Sequence, residues 1–78
     1  MTQQMPNQSD RDINPKYPNI YVQLSGRDGN VFSILSAVND ALNKAGIAKE
    51  ERDQFWAEAT AGDYDHVLIT CMQWVAVG

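Results

Sequence analysis

A change of hydrophobic period near residue 30 constrains this chain more than any other feature. Ile20, Val22 and Leu24 alternate with Tyr21, Gln23 and Ser25, the period of two expected of a strand with one buried face. Gly26-Arg27-Asp28-Gly29 is a turn signal, and Asn30 is a good N-cap for a helix beginning at the next residue. From Val31 the spacing turns helical, with Val31, Ile34, Leu35, Val38, Leu42 and Ala45 on one apolar stripe. Gly46 stops this helix, because glycine tolerates the left-handed residue that closes a last turn. Ile47 is then placed to pack back on Leu42.

A second helix is expected from about Lys49 to Thr60, with Glu50 and Glu51 in the first turn where the helix dipole favours them. Its stripe is thin: Ala48, the stem of Arg52, Phe55 and Ala59, with Trp56 beside it. Gly62 ends it. Asp63 caps a third helix and Asp65 adds negative charge to its first turn, while Tyr64, Val67, Leu68, Cys71 and Val75 supply its buried face. The end, Gln73 to Val77, fits either a continued helix or a short strand. A lone first strand would leave backbone groups unpaired, so the favoured reading is helix to about Met72, then strand. The expected fold is a small single α+β domain, β-α-α-α-β, with a short two-stranded sheet packed on three helices.

Size and charge narrow the function. Seventy-eight residues make one domain at most, and residues 1 to 17, rich in Gln, Asn, Ser, Asp and Pro, read as a disordered polar tail before a domain at 18–78. The single cysteine, Cys71, excludes an intrachain disulfide and a paired-cysteine zinc site; in its apolar run it reads as a buried hydrophobe. One free thiol and no signal-peptide pattern point to the cytoplasm. The apolar stretch from Val67 to Val77, broken by Thr70 and Gln73, is too short to span a bilayer, so no membrane association is expected. Ten acidic residues against six scattered basic ones disfavour nucleic acid and acidic partners in general, and suit a basic protein surface.

The candidate sites each have a plain structural reading. Asp63, Asp65 and His66 are metal-binding or proton-moving types. Helix neighbours one and two apart diverge, however, and Asp63 as a cap already has a backbone partner. Gly26, Arg27, Gly29 and Asn30 sit where phosphate-binding loops sit, after a strand and before a helix. The lysine and hydroxyl that end a P-loop are missing, which leaves a turn or a weak anion site. The helix pair around Gly46 suggests helix-turn-helix DNA binding, but Glu50, Glu51, Asp53 and Glu58 would face phosphates. Ser33, Ser36 and Thr70 lack a nucleophile-elbow pattern. No catalytic set and no cofactor is called for. Trp56, off the main stripe, with Glu50 and Glu51 is the expected contact surface.

The run Tyr17-Pro18-Asn19-Ile20-Tyr21-Val22-Gln23-Leu24-Ser25-Gly26-Arg27-Asp28-Gly29-Asn30, followed by Ala59-Thr60-Ala61-Gly62-Asp63-Tyr64-Asp65-His66, a Cys-Met pair and Trp74-Val75, resembles a family of small proteins found in bacteria, their phages and mobile elements. The resemblance covers nearly everything after the tail. It implies a cytoplasmic location and an accessory role in phage or plasmid biology, and it implies no reaction. The expectation is a non-enzymatic protein-interaction module with an unknown protein partner, able to dimerise through the sheet edge. The alternatives are a small-ligand or metal-dependent activity near Asp63, Asp65 and His66, and DNA binding.

Overall fold

The structure, a computed structural model, describes residues 14–78. Its elements run β1 (Tyr17–Val22), α1 (Val31–Lys44), α2 (Lys49–Ala59), α3 (Tyr64–Trp74) and β2 (Val75–Val77). The β-α-α-α-β order matches the expectation. The strands are parallel and form one two-stranded sheet, a geometry open to them because three helices carry the chain back to the start of the sheet. Most of the expected tail lies outside the described residues. Its last residue does not: Tyr17 opens β1, and the Lys16 N–H donates to the Gln73 carbonyl at 2.9 Å, so the domain begins earlier than composition suggests.

Asn30 starts α1 as its residue type demands. Its side-chain oxygen accepts from the Phe32 N–H at 2.8 Å and, more weakly, from Ser33 at 3.4 Å. Ile34, Leu35, Val38 and Leu42 are all buried, so this helix docks through one continuous stripe. Each such side chain contributes about 1.5–3 kcal/mol relative to exposure. Gly46, at φ 86°, closes the helix: its N–H donates to the Asn43 carbonyl and that of Ile47 to the Leu42 carbonyl, both at 3.0 Å. Ala45, expected on the stripe, is the exposed cap instead.

Only Phe55 and Ala59 of α2 are fully buried, and Ala48 offers no side-chain cap. Helix α3 buries Val67, Thr70, Cys71 and Trp74, at the spacing of one helical face. It runs two residues past Met72, which seats Trp74 in the core beside Phe55, their ring centroids 5.6 Å apart edge to face. Tyr64, expected to be buried, is exposed. Val75 enters the core at once, and β2 then pairs with β1. Among the described residues no helix is long and apolar enough to cross a membrane.

Candidate functional site

The two glycine turns lie side by side. A Cβ built on Gly29 would sit 3.7 Å from the Tyr64 hydroxyl oxygen, which puts the β1–α1 loop against the start of α3. Sequence candidates from both segments therefore meet at one end of the molecule. Their polar groups, however, are engaged within the fold.

At the α3 start, Asp63 accepts the His66 N–H at 3.0 Å and is the helix cap. The His66 ring turns the other way and donates from Nε2 to the Glu58 carbonyl at 2.8 Å, joining α3 to the end of α2. A Cβ on Gly62 would stand 2.8 Å from His66 Cβ, so the absence of a side chain at Gly62 is what lets the histidine fold back. Asp65 points to solvent. Among the described residues no three His, Cys, Asp or Glu side chains gather as a metal site would require.

In the loop, Asp28 Oδ1 accepts the Asn30 N–H at 3.0 Å, and Asn30 in turn occupies the first free amides of α1. An anion arriving here meets a carboxylate and an amide oxygen already in place. Arg27 is turned back, its Nε donating to the Gln23 carbonyl at 3.2 Å. The four loop residues thus form a capped turn. Their arrangement does not resemble a phosphate cradle.

The expected contact surface on α2 divides. Glu50 is exposed, whereas Trp56 is half-buried and packs against the core. Glu51 belongs to a polar knot that sequence reasoning missed. Its carboxylate pairs with Lys16 at 2.7 Å and accepts the Tyr17 hydroxyl. The Lys16 ammonium lies 4.6 Å from the Trp74 ring centroid, and Trp74 Nε1 donates to Glu58 Oε1 at 2.9 Å. The bond to Glu51 raises the pKa of Lys16 and of Tyr17, while Lys16 and then Tyr17 hold the Glu51 carboxyl below the usual value. Strand β1, helix α2 and the end of α3 are tied together through these five side chains.

Tyr17 reaches this knot because the strand register slips between Tyr17 and Tyr21: Tyr17 pairs with Val75, yet Tyr21 pairs with the very next residue, Ala76. Strict alternation would turn Tyr17 to the same face as Tyr21, away from the helices; the irregularity turns it inward. Pro18 within that stretch is the one sequence sign of it.

Three further chemistry-bearing groups have a role within the fold. Cys71 is fully buried, and burial pushes its thiol up to about 11, which leaves it protonated and inert at neutral pH. The basic side chains of α2 are both turned to partners, Lys49 to Asp53 at 2.8 Å and Arg52 Nε to the Ile47 carbonyl at 3.1 Å. Four large hydrophobic side chains are exposed among the described residues: Phe32 is 67% exposed, Tyr21 60%, Ile69 44% and Tyr64 42%. Compared with known proteins, the chain matches no family model, no curated protein and no solved structure.

Proposed function

We propose that this chain is a non-enzymatic protein-interaction module, an accessory protein of the bacterial, phage or mobile-element type its sequence resembles, acting in the cytoplasm. One observation carries the reading: Phe32 and Tyr64, two large aromatic side chains, stand in solvent at the end where the loop meets α3. Aromatic side chains are common anchors at protein interfaces. The potential catalytic types are engaged within the fold: Asp63 caps α3 through the His66 N–H, and the His66 ring joins α3 to the end of α2. Asp28, Asp63 and Asp65 surround the aromatic pair in sequence and favour a basic partner surface. On α2, half-buried Trp56 and exposed Glu50 are further candidates for the contact surface. Self-association through an open sheet edge belongs to the same proposal, since a two-stranded sheet leaves two edges without a strand.

Affinity capture of the tagged chain from a bacterial lysate tests it, with Phe32→Ala, Tyr64→Ala and Trp56→Ala as controls. The expected result is a specific protein held by the wild type and lost from at least one of the first two variants. Capture of nothing specific, together with a raised melting temperature on adding a divalent metal or nucleotide, would replace this reading with ligand binding.

A further inference from the structure

Among the described residues, strand β1 uses only one of its edges. The Val22 carbonyl accepts the Gly78 N–H at 3.2 Å, and the Leu24 N–H donates to the Gly78 carbonyl at 2.8 Å, so these groups face β2. Backbone groups alternate along a strand, and those of Tyr21, and of Gln23 just past the end of β1, therefore face the opposite edge. Among the described residues, the one hydrogen bond to that side comes from Arg27, whose Nε donates to the Gln23 carbonyl. Helix α1 runs beside this edge and presents its two smallest residues there, Ala37 and Ala41. Between strand and helix lies an open groove of about 410 Å³. Its volume is within the usual range of ligand sites.

The charge of the groove departs from that of the whole chain. Arg27 and Lys44 line it against a single acid, Asp40, whereas the full sequence carries a net charge of −4. Elsewhere among the described residues, ion pairs to Glu51 and Asp53 hold Lys16 and Lys49. A free strand edge beside a helix, floored by small side chains and flanked by two cations, has the requirements of strand addition: main-chain bonds from the edge, room for side chains, and charge to select the partner.

We propose that the β1–α1 groove takes an extended, acidic segment of a partner protein, which adds as a third strand to the outer edge of β1. Tyr21 and the Gln23 N–H bond its main chain, Ala37 and Ala41 leave space for its inward side chains, and Lys44, with Arg27 once it leaves the Gln23 carbonyl, meets its carboxylates. This inference rests on the reading of the chain as an interaction module and names a second surface of that module, separate from Phe32 and Tyr64.

The test titrates the isotope-labelled full chain with a short synthetic peptide of alternating glutamate and threonine, followed by amide NMR, with a lysine-threonine peptide in parallel. The expected result is shifts centred on Tyr21, Gln23, Ala37 and Ala41 for the acidic peptide alone. Affinity should drop roughly ten-fold in the double variant Arg27→Gln, Lys44→Gln, the sum of two exposed charge contacts. Both substitutions are on the surface, and an otherwise unchanged spectrum confirms the fold. Absence of shifts, shifts centred elsewhere, or equal binding of the lysine peptide overturns the proposal. Concentration-dependent shifts at the same amides without peptide, with a doubled mass in sedimentation, assign the edge to a second copy and overturn it too. A silent groove alongside a lysate partner still lost from Phe32→Ala leaves the interaction module standing; loss of both results removes both.

Discussion

The two helix starts and the β1–α1 groove differ in what their polar groups are doing. At the helix starts, Asp28, Asn30, Asp63 and His66 each have a hydrogen-bond partner within the fold, and the neighbouring knot of Lys16, Tyr17, Glu51, Glu58 and Trp74 is likewise closed on itself. In the groove, the outward backbone of β1 and the side chains of Asp40 and Lys44 face open space. The first region contains the residue types that draw attention in a sequence; the second is built from an edge, two alanines and scattered charges. Residue type alone thus marks groups that stabilise this fold, while the groove proposed for recognition is built of groups that form no motif.

If that contrast is right, substitutions in the closed region act on stability and those in the groove act on binding. The largest effect is expected at Trp74, which is buried against Phe55 and bonded to Glu58. Trp74→Ala should cost about 3–5 kcal/mol, enough to unfold much of so small a domain; urea denaturation checks it. Gly62→Ala comes next, because the new Cβ meets both Cβ and Cγ of His66 at 2.8 Å, and only the second of these contacts is removed by shortening His66. A loss of about 1–3 kcal/mol is expected, and the double variant Gly62→Ala, His66→Ala should recover part of it. Asn30→Ala and Asp63→Ala should each cost about 1 kcal/mol as lost caps. A strong fall in partner binding with no change in stability at Asp63 would break the contrast and return that residue to a functional role.

The knot adds a pH signature at both extremes. The carboxyl of Glu51 titrates below its ordinary value, so its contribution is complete above the unfolded value and is lost as pH falls through the folded one. Lys16 and Tyr17 titrate above theirs; their contribution is complete below the unfolded values and is lost as pH rises through the folded ones. Urea midpoints of Glu51→Gln should therefore vary less with pH than those of the wild type at either end. A wild-type curve of the same shape as the variant's would show that the knot does not form. The smallest stability effect, within about 0.5 kcal/mol, is expected for Arg27→Gln and Lys44→Gln, which are surface changes outside any buried contact.

The element order is readable because local rules agree with the global fold. The burial alternation of Ile20, Val22 and Leu24, the stripe of α1, the stop at Gly46, and the caps Asn30 and Asp63 all survive in the structure, although β1 itself ends at Val22. Helix α2, by contrast, already ends at Ala59 with Thr60 as its cap, and Gly62 serves instead to make room for His66. At the C-terminal end both readings of Gln73 to Val77 are partly apt: Trp74 completes the helix, and the strand begins at Val75. What escapes a linear reading depends on distance in sequence. The Lys16–Glu51 pair, the reach of Trp74 to Glu58, and the register slip that turns Tyr17 inward come only from assembly of the elements. Tyr64 is apolar and in phase with the stripe, yet at the first turn of α3 it lies beside the loop in solvent. Ala37 and Ala41 are ordinary helix positions by type, and only their place next to an open strand edge makes them the floor of a groove.

Amide hydrogen exchange along β1 tests the open edge most directly, in the free protein and with the glutamate-threonine peptide. Val22 and Leu24 should be protected in both states, since they face β2, while Tyr21 and Gln23 should exchange quickly alone and slow when the peptide is added. Protection of Tyr21 and Gln23 in the free monomer, or no slowing with peptide at saturating concentration, would contradict an open recognition edge on this domain.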